Sequence, residues 1–279
     1  MKMTRKRPKQ KTTSLTLLLD VGNTHTHVGF AEDSHISRQL DFPTQEWFTG
    51  MASTLLQDFL LSCSPDQLGV CSVVPKATTE IEHWCAKTLK LQPTVLSHNR
   101  IVGVGIDYPR PETIGPDRLA NAVAVVQQYG APALVVDFGT AVTFDVVNKE
   151  GNYVGGVIAP GLSAMTDYLH EKTALLPRIS IQEPRNVIGK STREAMLVGA
   201  VHGYRGLIRE IIREIKQELG APRLPVVATG GYARLIASKL DEIDSVNPLL
   251  TLQGLLLITQ QSPASPCARP SKLTRSSIT

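Results

Sequence analysis

The sequence predicts an α/β protein built from a duplicated unit, with a cleft between its two halves. Three observations carry this. Short aliphatic runs of strand length alternate with longer amphipathic segments of helical period. "LLLDVGNTHTHVGF" at 17–30 and "LVVDFGTAVTFDVV" at 134–147 align without a gap, setting Asp20 on Asp137, Gly22 on Gly139, Asn23 on Thr140 and Thr26 on Thr143. The 279 residues are 42% hydrophobic and 19% charged, the balance of a globular chain with a large core.

Each aligned stretch reads as strand, tight turn, strand. Residues 17–19 and 135–136 are aliphatic and suit burial on both sheet faces. Gly22 and Gly139 allow backbone angles that other residues resist. After the first hairpin come a strand at 68–75 ended by proline, an amphipathic helix at 77–90 and a strand at 93–97. "RLANAVAVVQQYG" (118–130) is a helix closed by Gly130. In the second half, "LPVVATGG" (224–231) is a strand entering a glycine turn and "YARLIASKL" (232–240) a helix. The longest helix opens at a capping box, Ser191 and Glu194, and ends at Gly220 and Pro222. Its expected apolar face is Ala195, Val198, Tyr204, Leu207, Ile208, Ile211, Ile215 and Leu219. Gly199, Gly203 and Gly206 inside it cost roughly 1 kcal/mol each against Ala, so close packing is expected there, for which a second subunit is one source.

Charge is unevenly spread. The formal net charge is +4, but residues 1–14 hold six basic residues and 259–279 three, with no acid in either. Residues 15–258 therefore carry 20 basic and 25 acidic side chains, net −5, which argues against a broad nucleic-acid footprint. The basic residues 1–14 are expected to be a disordered tail; phosphate contact or an address signal is the alternative. Residues 259–279, rich in Ser, Pro and Thr, are expected to be disordered too. No apolar run nears the roughly 20 residues that cross a bilayer; "LLTLQGLLLI" at 249–258 is short and broken by Thr251, Gln253 and Gly254. The segment after the N-terminal charges is too short for a secretory signal. Cys63, Cys71, Cys85 and Cys267 show no C-x-x-C spacing, so neither a zinc site nor a disulfide framework is expected, and the plain reading is a cytoplasmic protein.

Two acid-tipped glycine hairpins, one per half, suit nucleotide phosphates held between them. Amides of a tight turn converge on an anion, and Asn23, Thr24, Thr140 and Thr143 add neutral donors. Asp20 and Asp137 look repulsive to phosphate, but Mg²⁺ or K⁺ between them reverses the sign. The plainer alternative is that both acids only seed turns. No G-x-x-x-x-G-K-[ST] loop is present.

"DVGNTHTHVG", "GPDR", "DFGTAVT", "GGVIAPG", "STREAMLVG" and "TGG" occur in the order found in type III pantothenate kinases, which the sequence resembles over residues 15–258. That family belongs with the acetate and sugar kinases and actin. The resemblance implies duplicated ribonuclease H-like (actin-like ATPase) domains, at 15–131 and 132–258, with a cleft between them. It implies ATP-dependent phosphorylation of pantothenate to 4′-phosphopantothenate, the first step of coenzyme A biosynthesis, by a homodimer with substrate pockets near the subunit boundary. By position, Asp20, Val21, Gly22, Asn23, Thr24, His25, Thr26 and His27 would line the ATP phosphates, and Thr140 would contact ATP. Tyr108, Gly115, Pro116, Asp117 and Arg118 would form the pantothenate pocket, with Asp117 as general base, and Thr192 would contact pantothenate. Asp137 would bind a monovalent cation, K⁺ or ammonium, and Mg²⁺ would accompany ATP.

The residue types agree with these roles. Phosphoryl transfer to an alcohol needs an in-line hydroxyl, a charge clamp and a proton acceptor. Asp117 opens the helix at 118–130, where the helix dipole favours its ionised form. Arg118 can pair bidentately with an acid substrate, and Thr192 lies where first-turn amides meet anions. Plainer roles stay open: Asp117 as a helix cap, Arg118 paired with a surface acid, Tyr108 as a core aromatic, Thr192 as an ordinary first-turn residue. His25 and His27 share a strand face but have no third metal ligand nearby in sequence. Pro116 lacks an amide, which costs affinity if the pocket needs one and fits well if it is the first helical residue. A nucleotide-binding regulatory protein without turnover, using its basic tail on DNA, is the alternative from another class; a kinase for another small alcohol or acid is the nearer one.

Overall fold

The computed structural model describes residues 13–61 and 63–261. Residues 1–12 and 262–279, hence nearly all of both expected tails and Cys267, lie outside the described residues. Ser14 is not tail-like: its amide donates to Asp33 Oδ1 at 3.0 Å. Residues 259–261 are corrected as well, since they form the last turn of a helix.

The strands are β1 (Leu15–Val21), β2 (His25–Glu32), β3 (His35–Pro43), β4 (Gln67–Ser72), β5 (Thr94–Val95), β6 (Gly105–Ile106), β7 (Ala133–Phe138), β8 (Ala141–Val147), β9 (Asn152–Pro160), β10 (Val226–Thr229) and β11 (Ser245–Val246). The helices are α1 (Glu46–Thr49), α2 (Met51–Leu60), α3 (Pro75–Trp84), α4 (Pro116–Tyr129), α5 (Leu162–Lys172), α6 (Thr192–Glu218), α7 (Ala233–Ala237) and α8 (Leu250–Gln261). One sheet runs β3-β2-β1-β4-β5 and the other β11-β10-β7-β8-β9-β6. Read from β9, the second repeats the order and directions of the first: an antiparallel meander, then two parallel strands. The unit is duplicated, with β6 added at the edge of the second sheet.

Strand alternation sets the layers. Leu17, Leu19 and Val21 face a core shared with α1, α2 and α3. Leu134, Val136 and Phe138 face a core shared with α6 and α7. The opposite faces, through Leu18 and Val135, meet a third core made by α4 and α8 between the two sheets. The chain thus crosses back: α8, its last described helix, packs on α4 and on β1 and β4 of the first sheet. Among the described residues no helix is long and apolar enough to span a membrane.

The apolar face expected for α6 is partly displaced. Ala195 is exposed, whereas Met196, Ala200, Val201, Arg205 and Ile212 are buried with Tyr204 and Ile208. Arg205 is the physical reason: its guanidinium reaches Glu183 and the carbonyls of Leu235 and Ile236, so a charge occupies an inward position. The cap is as expected, with Ser191 Oγ accepting from the Glu194 amide at 3.2 Å.

Candidate active site

The parity that builds the layers also aims the acids. Asp20 lies two residues after Leu18 and Asp137 two after Val135, so both carboxyls point to the faces that share α4 and α8. The turns that follow meet: the hydroxyls of Thr24 and Thr140 are 2.9 Å apart. Gly22 closes the first turn by donating to the His25 carbonyl at 3.0 Å, and Gly139 the second by donating to that of Ala141 at 3.1 Å. Thr44 braces the first turn from the end of β3, its hydroxyl donating to the Gly22 carbonyl at 2.7 Å.

The two hairpins are not alike residue for residue. Three residues separate β1 from β2 and two separate β7 from β8, so Asp20 pairs with His27 while Asp137 pairs with Thr143. The gapless alignment of Thr26 with Thr143 is therefore corrected by one residue, and a one-residue slip reverses the face. Thr26 is fully buried, hydrogen-bonded to Thr44 and to the Trp47 indole; Val21 is buried likewise in the first core. Neither side chain reaches the space where phosphates were expected. His27 and Thr143 do line it. His27 pairs with Asp41 and stacks on His25, which gives it a carboxylate partner rather than a metal.

Asp117 enters from α4. Gly115 stands at the N-cap and Pro116 is the first helical residue, where a missing amide costs nothing. A Cβ on Gly115 would come within 2.4 Å of Asp117 Oδ1, so glycine leaves room for that carboxyl. Asp117 Oδ1 accepts from the Arg118 amide at 2.9 Å. Burial raises the Asp117 pKa, outweighing the backbone amides of the helix start and the Arg118 charge, which favour its ionised form. Burial likewise pushes Asp137 up to about 6, with the Asn121 amide opposing. It pushes Asp20 up to about 7, with His27 opposing and Asp117 and Asp137 adding repulsion.

Three side chains that no motif marked hold this set in place. Arg118 does not project freely: its Nε donates to Asp145 Oδ1 at 2.6 Å, and Asp145 is fully buried. Burial works against the Arg118 charge, but Asp145, Tyr153 and Asp117 together more than offset it. Arg118 lies over the Tyr153 ring, against which Tyr108 packs edge-on, and the buried Nη2 of Arg118 has no hydrogen-bond partner among the described residues. Asn121 donates to Asp137 Oδ2 at 3.0 Å, and Thr251 of α8 donates to Asn121 Oδ1 at 2.8 Å. An acid inside the apolar run "TFDVV" was a visible signal for Asp145; nothing local marks the other two.

The resulting cleft has a volume of about 660 Å³. Asp20, Gly22, Asn23, Thr24, His25, His27, Asp117, Asp137 and Thr140 line it, and Ser163, Asp167, Gly231 and Tyr232 extend it. Tyr108, Gly115, Pro116 and Arg118 are not in its lining, nor is Thr192, which is exposed at the head of α6. Among the described residues no three His, Cys, Asp or Glu side chains are grouped as a metal cage. The donors suit a hard cation that keeps other oxygen ligands. Asp137 spends one oxygen on Asn121, and the other stays uncrowded because the turn beside it is Gly230, with φ +89°, where a Cβ would come within 2.6 Å of Oδ1. A cation would also relieve the mutual repulsion of the buried acids.

The family profile described as type III pantothenate kinase matches residues 16–214. A type III pantothenate kinase of Akkermansia muciniphila is 49% identical over 240 residues, 86% of this chain and 96% of that protein. One from Methylacidiphilum infernorum is 45% identical over 244 residues, 87% of each. Among solved structures, the archaeal actin homolog Ta0583 superposes with a TM-score of 0.50 at 14% identity, over 89% of this chain and 100% of that one, a likeness of fold. With a duplicated acid-tipped hairpin at its centre and relatives this similar along most of their length, the chain belongs to the type III pantothenate kinase family.

Proposed function

We propose that the cleft catalyses ATP-dependent phosphorylation of pantothenate to 4′-phosphopantothenate, the first step of coenzyme A biosynthesis. The observation that carries the mechanism is the meeting of the two hairpin turns, which sets Asp20, Asp117 and Asp137 around one cleft. The triphosphate lies between the turns, against the Asn23 side chain and the hydroxyls of Thr24 and Thr140, with Gly22 leaving room for it. Mg²⁺ arrives with ATP and supplies charge neutralisation on the phosphates. Asp137, held by Asn121, is the residue that would hold K⁺ or ammonium.

The primary alcohol of pantothenate attacks the γ-phosphorus as the bond to the β-phosphate oxygen breaks, ADP leaves, and the hydroxyl proton passes to Asp117. The raised pKa of Asp117 suits a base, whose strength is best matched to the working pH. Arg118, fixed by Asp145 on its Nε side with Nη2 buried, would draw the substrate carboxylate by its charge from beside the cleft.

A homodimer is part of this reading. Leu175, Val187 and Ile188, before α6, are 89%, 71% and 79% exposed, and a Cβ added at Gly199, Gly203 or Gly206 of α6 would meet nothing within 4 Å among the described residues. Thr192 adjoins this surface and would meet pantothenate from a second copy. A cytoplasmic setting agrees with free thiols at Cys63, Cys71 and Cys85.

The test is turnover of the purified protein with ATP, Mg²⁺, K⁺ and pantothenate, reading ADP release and the phosphorylated product by mass. Stoichiometric product is expected. ATP binding with no turnover on pantothenate or on a panel of small alcohols would overturn the reading in favour of a regulatory protein.

A further inference from the structure

A hydrogen-bonded relay runs from the last described helix into the acid cluster. Thr251 sits on α8, in the layer between the sheets, and is 8% exposed; Asn121 on α4 is fully buried. The Thr251 hydroxyl donates to Asn121 Oδ1 at 2.8 Å, and Asn121 Nδ2 donates to Asp137 Oδ2 at 3.0 Å. A side-chain amide can sit either way round, with donor and acceptor exchanged. The Asp137 carboxylate, which only accepts, turns the NH₂ towards itself, and the bond from the Thr251 hydroxyl to Oδ1 holds the amide in that pose.

We infer that Thr251 and Asn121 are positioning residues for Asp137: they fix one carboxylate oxygen inward and leave the other to a cation in the cleft. The inference rests on the proposed cation role of Asp137. It extends the working site to α8, beyond the 16–214 matched by the family profile. The close approach that makes it possible is built in, since a Cβ on Gly254 of α8 would come within 1.9 Å of the Ala120 carbonyl of α4. Without the Thr251 hydroxyl, Asn121 Oδ1 is left buried without that donor, and the amide is held less firmly against Asp137. A cation would then compete with a disordered partner, and its affinity would fall.

The test compares Thr251→Val, Thr251→Ser and Asp137→Asn in the full-length protein. Two quantities are read: the rise in melting temperature on exchanging choline chloride for KCl without substrates, and the K⁺ concentration for half-maximal turnover. For Thr251→Val the half-maximal K⁺ concentration is expected to rise at least fivefold and the K⁺-dependent thermal shift to shrink, with the pantothenate KM within twofold. Thr251→Ser, which keeps the hydroxyl, is expected to restore both. Should the valine variant fold poorly, Thr251→Ala removes the same hydroxyl with less bulk and is read the same way. A lowered melting temperature with unchanged K⁺ response in the valine or alanine variant would overturn the relay and leave Thr251 a packing residue. If Asp137→Asn itself responds to K⁺ like the wild type, the cation assignment falls, and the relay with it.

Discussion

Replacing Asp137 with Asn should stabilise the cation-free protein at alkaline pH. In the fold, burial pushes the Asp137 carboxyl from an ordinary 3.8 up to about 6. The folded state therefore holds this proton more tightly than the unfolded chain does. The associated stability is fully present below about pH 4 and is lost as pH rises through about 6. At 1.36 kcal/mol per pKa unit, ionising Asp137 in the fold costs roughly 3 kcal/mol by pH 8. Asparagine carries no such cost and still accepts from Asn121. For a chain of this size about 2–4 °C accompanies each kcal/mol, so the variant should melt some 6–12 °C above the wild type at pH 8. The gap should close towards pH 4. Saturating K⁺ with MgATP should narrow it from the other side, because bound cations remove the penalty in the wild type alone. Scanning fluorimetry in choline buffers across this pH range measures both trends. A variant no more stable than the wild type at pH 8, or a gap independent of pH, would refute the reasoning.

Asp117→Asn should lower kcat by about 10²–10⁴, the usual contribution of a positioned base, while calorimetry still finds MgATP binding; turnover near wild type would make Asp117 a helix-start residue only. Asp145→Asn leaves the Arg118 guanidinium without its counter-ion, and the pantothenate KM should rise tenfold or more with the ATP KM within twofold, which steady-state kinetics would read. Gly230→Ala places a methyl within 2.6 Å of Asp137 Oδ1 at φ +89°, so it should cost stability by about 1–3 kcal/mol and weaken the response to K⁺, both visible in thermal melts.

The duplication was legible because an acid at the mouth of an aliphatic strand is costly and occurs twice in one context. Asp20 and Asp137 could be placed for that reason, and Asp117 through the GPDR motif at a helix start. Face assignment after the turns was not legible, since one extra residue between β1 and β2 sends Thr26 inward while Thr143 faces the cleft. Asn121 reaches Asp137 from 16 positions away, and Thr251 reaches Asn121 from 130. Such contacts exist only once α4 and α8 are packed between the sheets. On α6 a hydrophobicity pattern cannot foresee that Arg205 turns inward, because its reward is a carboxylate and two carbonyls supplied by other segments.

The return of α8 to the first sheet bears on how the nascent chain matures. Residues 15–95 complete the strands of that sheet, yet one of its faces, which α4 meets only in part, stays incompletely covered until Leu252, Leu255 and Ile258 arrive. The amino-terminal half therefore cannot finish folding on the ribosome ahead of the rest. Neither half, expressed separately, should yield a soluble product, and mixing the two fragments should recover one only when the carboxy-terminal piece extends through Gln261.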